Sequence, residues 1–362
     1  MTSTNKLREI VALSLVKNMG PVSYKKLADR FGGEGSIFSV RKDNFESQKK
    51  GIRVLWEDLK AADLLPRADE EIEKALKHQI DIIPIFDERY PALLREIHDP
   101  PILLYVKGSL PPAESVNVAV VGSRVASLYG RRMASQISSD LAGAGVVVVS
   151  GLALGIDTAA HEGALAGKGC TIAVLGGGIA KLYPKENKRL AEKICENGAL
   201  VSEYPVEMSP DPGCFPVRNR IISGLSSAVF VVEAKEKSGA LITADLALEQ
   251  GRGVFALPGN ADSSKSFGTN SLLKQGACLV MSAQDILSDL GLLVSRRAKS
   301  SQRAALSAEE EKLFSLLDSG PVQLEEVVEG AGISLQKTVT VLSALQMKGL
   351  IKESPGKYFQ KA

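Results

Sequence analysis

Cysteine is scarce in this chain: Cys170, Cys195, Cys214 and Cys278 are the only four, they lie far apart, and no two form a C-x-x-C pair. That excludes a zinc ribbon and a disulfide framework, and it fits reduced cytosolic thiols. With only three histidines in the chain, no third ligand is in view for a metal centre built on Asp157 and His161. No apolar run approaches the roughly 18 residues of a membrane span. The N-terminal MTSTNKLREI has no apolar stretch behind its charges, so no signal peptide is expected and the cytoplasm is the default location. A dominant charge is missing too, since 44 Lys and Arg face 42 Asp and Glu for a net of +2. No bulk field attracts a polyanion, and any nucleic-acid site must arise from local clustering of cations.

What is present is an ordinary globular composition, 44% hydrophobic and 24% charged, over 362 residues. That length divides into two or three domains. Residues 1–80 carry helix-period apolar positions and predict an N-terminal helical domain. Within it, LVKNMGPVSYKKLADRFGG reads as helix, Gly-Pro turn, helix and Gly-Gly stop. This is similar to a helix-hairpin-helix, whose turn amides can face a phosphate; a simple packing hairpin fits the same spacing. Over 82–292, short β-branched runs (NVAVVG, VVVVSG, TIAVLGGG, ALVSEY, AVFVVEA, GVFALPG) alternate with helix-length segments. That pattern predicts βαβ units and a Rossmann-like, doubly wound, mostly parallel α/β sheet. Residues 293–306, rich in Ser, Lys and Arg, read as an exposed linker. Residues 307–362 predict three helices and a β-hairpin in winged-helix order, the third helix starting at Ser334. Eight acids against six bases give that last segment a net of −2, which weighs against a strong duplex contact and leaves protein contacts as its alternative role.

In an open parallel sheet, ligands bind beyond the carboxyl ends of the strands. VVGSRVASLYG (120–130) leaves its strand through Gly122 and Ser123 and presents Arg124, while SGLALGIDTAAHEGAL (150–165) offers the amides of Ser150 and Gly151. Further loops follow in LGGGIAKLYPKENKRL, KEKSGALITADLA and PGNADSSKSFGTN. None contains G-x-G-x-x-G or G-x-x-x-x-G-K-[ST], and GALAGKG (163–169) is one residue short of the latter, so tight mononucleotide binding loses support. Asp157 and His161, four apart at a helix start, read as a cap and a packed side chain rather than an acid–base or metal pair. Glu203 and Glu233 end strands with no nucleophile motif beside them. No cofactor, metal or catalytic residue is expected.

FPVRNRIISGLSS (215–227) follows a proline-rich loop that reads as non-helical, with a helix beginning near Arg218. Phe215 offers a stacking face, Arg218 and Arg220 offer guanidinium forks for phosphate, and Asn219 can meet a base edge or a neighbouring loop. The alternative packs Phe215 against the domain and pairs one arginine with Glu203 or Glu233.

These segments, in order over about 200 residues, resemble the DNA-processing protein A (DprA/Smf) family: YPALLREIHDPPILLYVKG, VAVVGSRVASLYG, VVVVSGLALGIDTAAHEGAL, TIAVLGGGIAKLYPKEN, LVSEYP, FPVRNRIISGLS, VVEAKEKSGALITADLALEQGRGVFALPG and GTNSLLKQGA. The resemblance implies a non-enzymatic cytoplasmic protein that binds and shields incoming single-stranded DNA and loads a RecA-type recombinase in natural transformation and recombination. It also implies a homodimer formed through the Rossmann-like domain, and a DNA pocket lined by Arg124, Phe215, Arg218 and Asn219. Some relatives carry Lys just before the Phe, where this chain has PDPGC, which removes one phosphate contact. The rival readings are a nucleotide-processing enzyme of phosphoribohydrolase type, whose P-G-G-x-G-T-x-x-E signature is not matched by SGALITADLALE, and a pure interaction protein acting through its C-terminal module.

Overall fold

The computed structural model describes residues 3–16, 19–32, 34–46, 56–61, 63–292, 307–317, 322–348, 350–354 and 356–361. Its chain forms two compact units, Met1–Leu293 and Val294–Ala362. The predicted linker at 293–306 lies outside the described residues.

In the first unit, helices α1 (Ser3–Ser14), α2 (Pro21–Phe31), α3 (Glu34–Ser39), α4 (Lys42–Glu46), α5 (Trp56–Leu59) and α6 (Leu64–Lys77) precede the sheet. Pro21 opens α2, where a missing N–H is harmless, and Gly32 ends it at φ 78°. These helices do not keep a core to themselves. Ile10, Leu13, Leu27 and Ala68 belong to the same buried cluster as Tyr105, Ala173, Ile194 and Leu200.

The sheet has nine strands: β1 (Asp81–Pro84), β2 (Leu103–Gly108), β3 (Asn117–Val121), β4 (Val147–Ser150), β5 (Thr171–Val174), β6 (Gly198–Ser202), β7 (Ala228–Val231), β8 (Gly253–Ala256) and β9 (Cys278–Leu279). Their spatial order is β1-β2-β6-β5-β4-β3-β7-β8-β9. All pairs from β6 to β9 are parallel. The β1–β2 and β2–β6 pairs form an antiparallel extension at one edge. Every residue of β3, β4, β5, β6 and β7 is buried, as unbroken apolar runs require when both faces are covered. Helices α7 (Ala92–Arg95), α8 (Leu128–Gly143), α9 (Ile156–Ala166), α10 (Lys188–Glu196), α11 (Cys214–Gly224), α12 (Gly239–Glu249), α13 (Phe267–Lys274) and α14 (Ala283–Asp289) accompany the strands. Strand β3 lies between β4 and β7, so the strand order reverses there and the loops leaving β3 and β7 diverge. That crevice is where a doubly wound sheet binds ligands.

One boundary differs from expectation. Helix α11 begins at Cys214 rather than near Arg218, because Pro216 falls in the first turn, where proline removes no helical hydrogen bond. Phe215, Arg218 and Asn219 therefore share one rigid helix.

The second unit contains α15 (Ala308–Leu316), β10 (Val322–Gln323), α16 (Leu324–Ala331), α17 (Leu335–Met347), β11 (Ile351–Ser354) and β12 (Tyr358–Lys361). Its small sheet has the order β10-β12-β11. This is the expected winged helix with one additional two-residue strand. Ser334 stands at the position just before the third helix without a side-chain cap bond, and that helix's one basic residue, Lys337, is paired with Glu309. Among the described residues no helix is long and apolar enough to cross a membrane.

Candidate nucleic-acid interface

A cavity of about 510 Å³ opens at the carboxyl ends of β3 and β7. Helix periodicity selects what α11 shows it: Phe215, Arg218, Asn219 and Ile222 stand at i, i+3, i+4 and i+7 and all line the cavity. Gly122, Ser123 and Arg124 line it from the loop after β3. That loop is locked to the next one by Gly155 at φ +88°. A Cβ there would stand 2.4 Å from the Ser123 carbonyl oxygen, while the Ile156 amide donates to that same oxygen at 3.2 Å.

Arg124 and Arg218 converge on one ring. Their guanidinium carbons lie 5.2 and 6.0 Å from the Phe215 centroid, within cation–π range. Tyr183, 54% exposed, sits beside Phe215 with centroids 5.9 Å apart and planes tilted by 44°. The ring can lie against the loop after β5 because Gly176 has no side chain: a Cβ there would be 2.7 Å from Phe215 Cδ1.

The two arginines differ in setting. Arg124 is exposed, whereas Arg218 is 4% exposed and forms part of the cavity floor. Its Nη1 donates to the carbonyls of Gly151 (2.9 Å) and Val174, and its Nε donates to Asn219 Oδ1 at 3.3 Å. Burial lowers the Arg218 pKa to about 10, with Arg124 pushing the same way and Asp157 opposing. The floor is therefore cationic at neutral pH. Asp157 accepts from the amides of Gly151 and Ala153, each at 3.2 Å. Burial pushes its carboxyl above the ordinary range, against the pull of Arg218 and these amides. His161 is fully buried, with Nδ1 2.7 Å from Thr171 Oγ1. Thr171 donates its own proton to the Val148 carbonyl, so Nδ1 is the protonated nitrogen. Burial first, and Arg218 second, lower the His161 pKa to about 3.

Three residues named from sequence face elsewhere. Arg220 is two positions, or about 200°, around the helix from Arg218. It is 4% exposed and grips Glu203 bidentately at 2.8 and 2.6 Å, with Nε 2.9 Å from Asp99 Oδ2. Burial alone would lower its pKa, but the bonds and charge of Glu203, with Asp99, outweigh burial and raise it. Ser150 is buried and donates to the Val120 carbonyl at 2.6 Å. Gly151 has its amide bound to Asp157 and its carbonyl bound to Arg218. A Cβ at Gly151 would meet the guanidinium at 2.7 Å, so this glycine makes room for Arg218 and presents no amide to the cavity.

Two cations not singled out from sequence, Lys235 and Lys237, line the opposite wall after β7, beside the start of α12. Ser238 caps that helix by accepting from the Ala240 amide at 3.3 Å. The signal was present in KEKSGALITADLA, a lysine pair just ahead of a Ser-Gly helix start. Glu233 is engaged in capping α8, accepting from the Ser127 amide at 2.9 Å and from its hydroxyl. The lining thus sets Arg124, Arg218, Lys235 and Lys237 against one buried carboxylate, Asp157.

Residues 81–291 match the DNA recombination-mediator protein A family, and residues 297–357 match the DprA winged helix domain. The chain belongs to the DNA recombination-mediator protein A family. It is 41% identical over 285 residues to Protein Smf of Escherichia coli (strain K12), covering 76% of each chain. It is 33% identical to Protein Smf of Synechocystis, covering 97% of this chain and 98% of the relative. Among solved structures, DNA processing protein A from Streptococcus pneumoniae superposes with a TM-score of 0.66 at 36% identity, over 80% of this chain and 99% of that one. DNA processing protein A from Helicobacter pylori, described for its single-stranded DNA binding mode, gives a TM-score of 0.54 at 32% identity, over 59% of this chain and 96% of that one. The region matched to the family contains the whole cavity lining.

Proposed function

We propose that the chain is a DNA-processing protein that grips single-stranded DNA in the cavity between the β3 and β7 loops. One observation carries this reading: Arg124 and Arg218 face the same aromatic ring, Phe215, in a cavity whose far wall holds Lys235 and Lys237. Cations meet the phosphates, the Phe215 and Tyr183 rings meet the bases, and the glycine loops let backbone approach closely. Such a site tolerates any sequence, because stacking and phosphate contacts carry no base-edge code.

A binding role rather than a catalytic one is supported by how the nearby titratable groups are engaged. Asp157 is held by amides, Glu233 caps a helix, Glu203 is paired with Arg220, and His161 is sealed inside. None is left as a base beside a nucleophile. Delivery of the held strand to a RecA-type recombinase, action in natural transformation and recombination, a homodimer formed through the sheet-bearing unit, and a cytoplasmic location complete the proposal, as the family resemblance implies.

The test is a gel-shift comparison of single-stranded and duplex oligonucleotides at matched salt, with wild type and Arg124→Ala. Preference for the single strand is expected, with the log–log salt slope falling by about 0.7 in the variant. An unchanged slope would remove Arg124 from the interface. Release of free base from nucleoside monophosphates would favour the phosphoribohydrolase alternative instead.

A further inference from the structure

The loop between β6 and α11, residues 203–213, forms neither helix nor strand and carries prolines at 205, 210 and 212. Its backbone groups must therefore find partners one by one. The amide of Val206, a residue with no exposed surface, donates to Glu71 Oε1 of α6 at 2.6 Å. Glu71 is itself 5% exposed. A carboxyl is costly to bury and an apolar side chain would pack there more cheaply, so what Glu71 supplies is an acceptor for this one amide. Lys74 and His78, at i+3 and i+7 on the same stripe of α6, stand 3.9 Å from the Glu207 carboxylate.

The far side of the loop is bonded to the glycine segment after β5. Gly178 donates to the Met208 carbonyl at 2.9 Å, and Ala180 donates to the Val206 carbonyl at 3.0 Å. The two segments are pressed together at Gly178, where a Cβ would collide with the carbonyl oxygens of Pro205 and Val206. Ser202 Oγ ties the same segment to the end of β6 by donating to the Gly177 carbonyl at 2.8 Å. Next to Gly177 is Gly176, on which the edge of the Phe215 ring rests.

We propose that Glu71 is a positioning residue for the DNA cavity: by holding the Val206 amide it fixes the proline-rich loop, which fixes the glycine segment that sets the Phe215 ring. The inference rests on the proposed DNA-binding reading and adds the N-terminal helices to it. Glu71 does not line the cavity; it acts on the strand only through the placement of one ring.

The test is a double-mutant cycle in the full chain, read by fluorescence anisotropy with an oligothymidylate of about 20 nucleotides across a salt series. Glu71→Leu should weaken binding on the order of threefold to tenfold, a part of what stacking supplies, with the salt slope unchanged because no phosphate contact is lost. In a Phe215→Ala background the same substitution should cost nothing further. Glu71→Gln, whose amide oxygen can still accept from Val206, should bind as wild type does. Glu71→Asp keeps the charge but falls a methylene short of the amide; it should behave as the leucine variant and replaces it in the cycle if that variant does not fold. Wild-type affinity in the leucine and aspartate variants overturns the proposal. So does a loss that persists undiminished without the Phe215 ring, or a failure of glutamine to restore binding. If wild type does not bind the oligothymidylate, the DNA-binding reading itself has failed; if it binds and Phe215→Ala weakens it while the Glu71 variants do not, the positioning role alone falls.

Discussion

Arg218 and Arg220 stand one residue apart in sequence but on opposite faces of α11, and Arg220 should fail in the opposite way from the cavity-lining Arg124 when mutated. Arg220→Met keeps the aliphatic stem but removes a guanidinium whose side chain is 5% exposed, leaving Glu203, 13% exposed, without its bidentate partner. Removing one member of a buried pair costs about 3–5 kcal/mol, out of a total stability of roughly 5–15 kcal/mol. With a urea dependence of about 1–3 kcal/mol/M, the unfolding midpoint should drop by on the order of 1 M or more. The assay is urea unfolding of the full chain by circular dichroism, followed by oligonucleotide binding well below the transition. There, the folded variant should keep the wild-type salt slope, because Arg220 faces Glu203 and Asp99 rather than the cavity. Replacing the pair together, Glu203→Leu with Arg220→Met, should recover part of the loss. Arg124→Ala should do the reverse, leaving the unfolding free energy within about 0.5 kcal/mol of wild type and lowering the slope. An Arg220→Met protein with normal stability and a slope reduced by about 0.7 would refute the division of roles between the two faces of α11.

Lys235→Ala with Lys237→Ala should lower the single-strand salt slope by about 1.4 without changing the unfolding midpoint; a salt titration checks the first and denaturant unfolding the second. Phe215→Ala should weaken oligonucleotide binding by roughly 1–3 kcal/mol with no change in slope, and Gly176→Ala, which drives a methyl into the ring edge, should imitate it more weakly in the same anisotropy assay. His161 supplies a pH signature. Its pKa is about 3 in the fold and near 6.5 unfolded, so the unfolded chain takes up a proton that the folded chain refuses. Stability contributed by this group is complete above pH 6.5 and declines as pH falls towards 3, by up to about 1.4 kcal/mol per pH unit. His161→Gln should flatten stability against pH over that window, as measured by urea unfolding at a series of pH values.

The parallel sheet and the winged helix were legible because buried strands and amphipathic helices leave long, regular patterns. Strands β9 and β10 are two residues each, too short to impose a period. The antiparallel edge, β1 and β2, carries no turn signal tying it to β6. The start of α11 was obscured by the prolines at 210, 212 and 216, which mark a break unless the last of them falls in a first turn. Once that helix is placed, the R-N-R spacing already separates Arg218 from Arg220 by rotation. Which arginine faced inward still required knowing where Glu203 stood. Ser150 and Gly151 looked like an anion loop, but Arg218 from a distant segment occupies that space, a tertiary fact with no local trace. Lys235 and Lys237 escaped notice because K-E-K resembles any solvated turn.

The sealing of Arg218 has a consequence for tolerance of brine. Mobile ions gather around Arg124, Lys235 and Lys237, but they cannot surround a guanidinium that is 4% exposed, so its field reaches the bound strand without the shielding that blankets surface charge. Added salt should therefore erode the pull of Arg218 on the strand less than that of the three surface cations around it.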